Sequence, residues 1–113
     1  MNETIADLIR PCDSKVRITS RPAEAAAAML NAETREATVV DENGNLIGIV
    51  YADDLFHAHE ETIASIVRPA RVVVPRNASL LEVVRIMQKV GCNYAVVVDG
   101  EQVVGMFTAE ESL

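Results

Sequence analysis

Asp54 stands six residues after Gly48, and Glu111 stands six residues after Gly105. Each acid follows a short apolar run, where a helix is expected to begin. Tyr51 precedes Asp54 by three positions, and Thr108 precedes Glu111 by three. A carboxylate offers two acceptor oxygens and so matches a vicinal diol. At a helix N-terminus the dipole favours its charge, and the free N–H groups there suit phosphate oxygens. An aliphatic slot beside such a group suits the flat face of a purine. The chemistry these positions suggest is binding, not bond breaking.

The rest of the inventory contains no catalytic set. There is no GxxxxGK phosphate loop, no GxSxG elbow and no HExxH. His57 and His59 are two apart and on a helix point to different faces, so they make no metal pair. Cys12 and Cys92 are isolated, without CxxC or Cys/His spacing. Two lone cysteines fit a reducing compartment. No apolar run approaches the length of a membrane span, and the opening MNETIADLIR carries acids where a signal peptide carries bases. A cytoplasmic protein is expected. The net charge of −7, with basic residues scattered singly, argues against nucleic acid and anionic membranes as partners. With 113 residues and no Trp, the core must be aliphatic.

The elements that position these acids are written twice. IADLIRP at 5–11 returns as IASIVRP at 63–69. An offset of 58 carries residues 5–41 onto 63–99 without a gap, and an offset of 57 then carries Gly48 onto Gly105 and Asp54 onto Glu111. Internal duplication is the reading, with repeats 1–61 and 62–113. Each repeat opens with an amphipathic turn (Ile5, Leu8, Ile9; Ile63, Ile66, Val67) stopped by Pro11 or Pro69. A short strand follows near Val16–Ile18 and Val72–Val74. Next is a helix: PAEAAAAMLNA with Ser20 or Thr19 as cap, then SLLEVVRIMQKV with a Ser79–Glu82 capping box and an apolar stripe of Leu80, Val83, Val84, Met87 and Val90. Two apolar strands come after it, joined by turns at Asn43-Gly44 and Asp99-Gly100. Their unbroken apolar character predicts cover on both faces. Asp53 or Asp54 is expected to cap a last helix, DLFHAHEE, whose counterpart is AEESL. One repeat alone buries too little to fold, so a stacked pair is expected.

This order, with Val-Val-Asp before a Gly-containing strand, IGIVYADDL at 47–55 and VGMFTAEESL at 104–113, resembles the tandem CBS-domain pair, or Bateman module. The resemblance implies an α+β fold: two pseudo-symmetric β-α-β-β-α repeats packed through their small sheets. It implies a regulatory module and no enzyme or cofactor. The implied ligand is an adenosyl compound, AMP, ADP, ATP or S-adenosylmethionine, held in clefts between the repeats. It also implies a flat homodimer and an effector protein that reads a conformational change.

By the same resemblance, Asp54 would hold the ribose in one cleft, with a purine wall of Val72, Val74, Cys92 and Asn93. Tyr51 stands there in place of the family's Thr or Ser. In the other cleft Thr108 matches, Glu111 replaces Asp, and the wall would be Val16, Ile18, Thr34 and Ala37, with Arg35 at the mouth. Each position also has a structural reading. Asp54 and Thr108 suit helix caps, Glu111 a solvated acid and Arg35 a surface charge. Asp41 and Asp99 suit turn starts, and Met29 and Met87 core filling. The Ala-rich stretch 23–28 reads as a packing surface, within the pair or across a dimer. The two departures, Tyr51 and Glu111, motivate a second hypothesis: an assembly module with degenerate, unoccupied clefts.

Overall fold

The computed structural model describes residues 3–58 and 60–108. The fold is α+β, with the same small β-α-β-β sheet motif built twice. In the first repeat, β1 (Lys15–Arg17) leads through α1 (Pro22–Ala32) to β2 (Glu36–Val40) and β3 (Leu46–Tyr51), followed by α2 (Ala52–Leu55). In the second, β4 (Val73–Pro75), α3 (Leu80–Val90), β5 (Tyr94–Asp99) and β6 (Gln102–Thr108) repeat the order. The AEESL helix expected after β6 lies outside the described residues. In each sheet the first strand runs parallel to the second, and the second antiparallel to the third. Register slips at Val39/Val40 and again at Val97/Val98, the same place in both copies.

The chain forms two compact units, Asp13–Pro69 and Met1–Cys12 with Ala70–Leu113. They differ from the sequence repeats because the duplicated words change sides. In the contiguous unit, the word at 63–69 lies along β3. Ile49 and Arg68 exchange both backbone hydrogen bonds, at 2.7 and 2.8 Å. In the other unit, the word at 5–11 lies along β6, where Arg10 and Met106 exchange bonds of 2.8 and 2.9 Å. Each word holds one 3-10 turn, Ala6–Leu8 or Ile63–Ile66, and is extended by Ile9 or Val67, before the proline is reached.

Gly48 and Gly105 make these contacts possible. A Cβ at Gly48 would lie 2.5 Å from the Arg68 carbonyl oxygen and 2.7 Å from Val67 Cγ1. One at Gly105 would strike the Arg10 carbonyl oxygen and Ile9 Cγ2. The glycines are therefore the places where an arm presses against a strand.

The central strands are buried along most of their length, as their apolar runs predict. Val16, Ala25, Met29, Ala37, Val39, Val50 and Ile63 form the core of the Asp13–Pro69 unit. Burying aliphatic side chains contributes about 1.5–3 kcal/mol each. Met87 and Val83 take the corresponding inward face of α3.

Four local expectations are corrected. Ser20 does not cap α1: its Oγ accepts from the Arg17 N–H at 3.0 Å and closes the turn after β1. The N-cap is Arg21, and Glu24 reaches back to accept from its backbone N–H at 3.1 Å. Neither Asp53 nor Asp54 caps α2, whose N-cap is Tyr51. That helix has four residues instead of the expected run through Glu61. Phe56, its next large apolar residue, is 81% exposed, and a helix without an apolar face to bury gains little from propagation. The two short strands begin one residue off the expected places, at Lys15 and Val73.

Other local expectations stand. Ser79 Oγ accepts from the Glu82 N–H. Asp41 starts its turn, its Oδ1 accepting from the N–H groups of Asn43 (2.8 Å) and Asn45 (2.9 Å). The Asn45 backbone bond, foremost, lowers the Asp41 pKa below the ordinary aspartate value.

Candidate functional site

β3 carries the chain out of the core and ends at Tyr51, where the backbone turns into α2. The first turn of α2 holds Asp53 and Asp54. Both carboxylates are engaged by arginines. Arg68 meets Asp54 with two hydrogen bonds, Nε to Oδ2 at 2.8 Å and Nη2 to Oδ1 at 3.1 Å. Arg35 Nη2 donates to Asp53 Oδ1 at 3.0 Å. The pairs differ in exposure. Asp54 is 21% exposed and Arg68 62%, whereas Arg35 and Asp53 are 78% and 81% exposed. Screening leaves the Arg35–Asp53 pair weak. The Arg68–Asp54 fork has the geometry of a specific charge-assisted contact. The hydrogen bond that Arg68 donates to Asp54, followed by the carboxylate's charge, raises the pKa of Arg68 further above its ordinary value.

Both arginines are set by backbone contacts. Arg68 is fixed by its paired bonds to Ile49, and the Arg35 carbonyl accepts from the Ala52 N–H at 2.8 Å. The arrangement can hold a diol or another hydrogen-bonding group on Asp54, and an anion on the guanidinium groups.

The remaining expected residues fall in different settings. In the Asp13–Pro69 unit, Val16 and Ala37 are core residues at 7% and 0% exposure, and Ala37 has no surface to offer a ligand. Thr34 turns its hydroxyl inward, donating to the Glu36 carbonyl at 2.9 Å and to Ser14 Oγ at 3.4 Å. Ile18 is exposed and lines an open hollow of about 300 Å³ with Arg17, Asp41 and Asn43. In the other unit, Val72, Val74 and Cys92 are buried, and the Cys92 thiol donates to the Tyr94 carbonyl. Asn93 is exposed. Thr108 ends β6 opposite Tyr94. Glu111 lies outside the described residues, as does His59.

A second feature lies between α1 and α2. An open groove of about 500 Å³ is lined by Ala23, Ala26, Leu30, Leu55 and Phe56, among others. Leu30 is 78% exposed and Phe56 81%. The alanine stretch forms one wall: Ala25 faces the core while Ala23 and Ala26 face the groove.

Sequence reasoning missed Arg68 as a partner of Asp54. The available signal was its place in the repeated word, where Arg10 and Arg68 correspond. Among the described residues, no group of three His, Cys, Asp or Glu is placed to hold a metal, and no helix is long and apolar enough to cross a membrane.

The family model for the CBS domain matches residues 4–61 and 63–111. The chain belongs to the CBS-domain family. Solved CBS structures superpose over almost its whole length. A protein from Vibrio cholerae named for acetoin utilization, AcuB, is 24% identical with a TM-score of 0.87, over 99% of this chain and 88% of that one. The CBS domain pair of protein MJ0100, solved with 5′-methylthioadenosine and S-adenosyl-L-methionine, is 22% identical with a TM-score of 0.85, over 99% and 94%. CBSX2, solved with AMP, is 18% identical with a TM-score of 0.83, over 96% and 94%. The likeness to these CBS structures is one of fold. No curated protein matches the chain.

Proposed function

We propose that this CBS pair is a regulatory, non-catalytic module that binds an adenosyl compound, with Asp54 accepting from the ribose hydroxyls. The observation that carries the reading is the Asp54 carboxylate in the first turn after β3, at the family's acid position and 21% exposed. Adenosyl ligands in MJ0100 and CBSX2 support the ligand class. The proposal includes a cytoplasmic location and a protein effector that responds when ligand shifts the conformational equilibrium. The second site, with Thr108 and Glu111, belongs to the same proposal.

Calorimetry of the folded protein against AMP, ATP and S-adenosylmethionine tests it. At least one is expected to bind, and Asp54→Ala is expected to weaken that binding. A charge-assisted hydrogen bond is worth roughly 1.5–3 kcal/mol, so the loss should be about ten- to a hundredfold. Absence of binding at millimolar ligand, or an unchanged affinity in the variant, refutes it.

One observation favours a second reading, that of an assembly module. The groove between α1 and α2 leaves Leu30 and Phe56 largely exposed, and such apolar surface commonly marks an interface.

A further inference from the structure

We propose that Arg68 is a resident competitor for the Asp54 carboxylate, and that it selects anionic adenosyl ligands over neutral ones. The inference rests on the reading of Asp54 as the ribose acceptor. Arg68 forks onto both Asp54 oxygens, at 2.8 and 3.1 Å. A diol that donates to the same two oxygens must displace the guanidinium or share them with it. Either way it gives up part of a charge-assisted contact that water and a neutral sugar only partly replace.

Arg68 cannot leave with its backbone. That backbone is pinned by two hydrogen bonds to Ile49 and pressed against Gly48. Only the side chain swings, so the displaced guanidinium stays near the ligand. The adjacent acid is a poor substitute, because Asp53 is 81% exposed to screening solvent and already accepts from Arg35. An anion on the ligand would supply the missing partner. Arg68 is 62% exposed and open to receive it. A phosphate thus offsets the broken pair, whereas an uncharged nucleoside leaves the loss uncompensated. Selectivity arises from a cost imposed on the wrong ligands as much as from a contact made with the right one.

Calorimetry with adenosine and AMP, on the wild type, Arg68→Gln and Arg68→Lys, tests this. In the wild type AMP is expected to bind more tightly than adenosine. Arg68→Gln removes the competitor and the cation together. Adenosine should then bind roughly three- to tenfold more tightly, with AMP unchanged or weaker. The AMP preference should shrink by about tenfold, with Arg68→Lys between the two. An AMP-to-adenosine ratio that Arg68→Gln leaves unchanged overturns the competitor while the Asp54 reading stands. If neither compound binds the folded wild type or the variants, the Asp54 reading itself falls and takes this inference with it.

Discussion

Glu33 and Gly91 occupy the same place after α1 and α3, 58 positions apart, and both adopt left-handed backbone angles, φ 56° and 77°. An L side chain there costs about 1–2 kcal/mol, from which the greater freedom of an unfolded glycine subtracts about 0.5–1. Glu33→Gly is therefore expected to stabilise the protein by roughly 0.5–1 kcal/mol, read as a rise in thermal midpoint of a few degrees. A lower midpoint would contradict this account of the helix end. Legibility at the residue scale followed chemical locality. Asp41, Ser79, Met29 and Met87 do what their types and near neighbours implied, because turns, caps and core filling are decided within a few residues or by apolarity alone. The Arg68–Asp54 fork was not legible. Its partners are 14 residues apart in sequence, and they meet only because the register of the arm on β3 places them together. Ala37 shows the converse error: its position in a family motif suggested a ligand wall, but its burial makes it core.

At the scale of elements, the two arms are fastened the same way, so the two glycines beneath them should respond alike. Gly48→Ala and Gly105→Ala are each expected to cost about 1–3 kcal/mol, as overpacking does. Amide exchange should localise the damage. The Ile49 and Arg68 amides should lose protection in the first variant, and those of Arg10 and Met106 in the second. Unaltered protection would mean that the arms are not held by these contacts. Strands, α1 and α3 were readable because apolar runs and a 3.6-residue stripe report burial directly. The last helix of the first repeat was not. DLFHAHEE lacks helix-breaking residues, yet the helix ends at Leu55, where Phe56 finds no apolar cover among the described residues. Which sheet each arm joins was likewise hidden, since the words are nearly identical and either strand edge offers the same hydrogen bonds.

For the whole molecule, the groove between α1 and α2 is an apolar surface left in solvent. If two copies close it, the contact is isologous and the same residues serve on both sides. Light scattering on the wild type at micromolar concentration is expected to give a dimer. Leu30→Glu combined with Phe56→Glu should give a monomer with an unchanged circular dichroism spectrum, since both side chains are already in solvent. A wild-type monomer would remove this interface from consideration. The exchange of arms also sets a schedule for synthesis. The ribosome has supplied every residue of the Asp13–Pro69 unit once Pro69 is clear of the exit tunnel. The arm that ends at Cys12, made before that unit, must wait until β6, made after it, arrives to receive it. A nascent chain halted when Pro69 has just cleared the tunnel thus carries one finished sheet but not yet the strand that the earlier arm joins, and the order in which the two units close is written into which arm belongs to which strand.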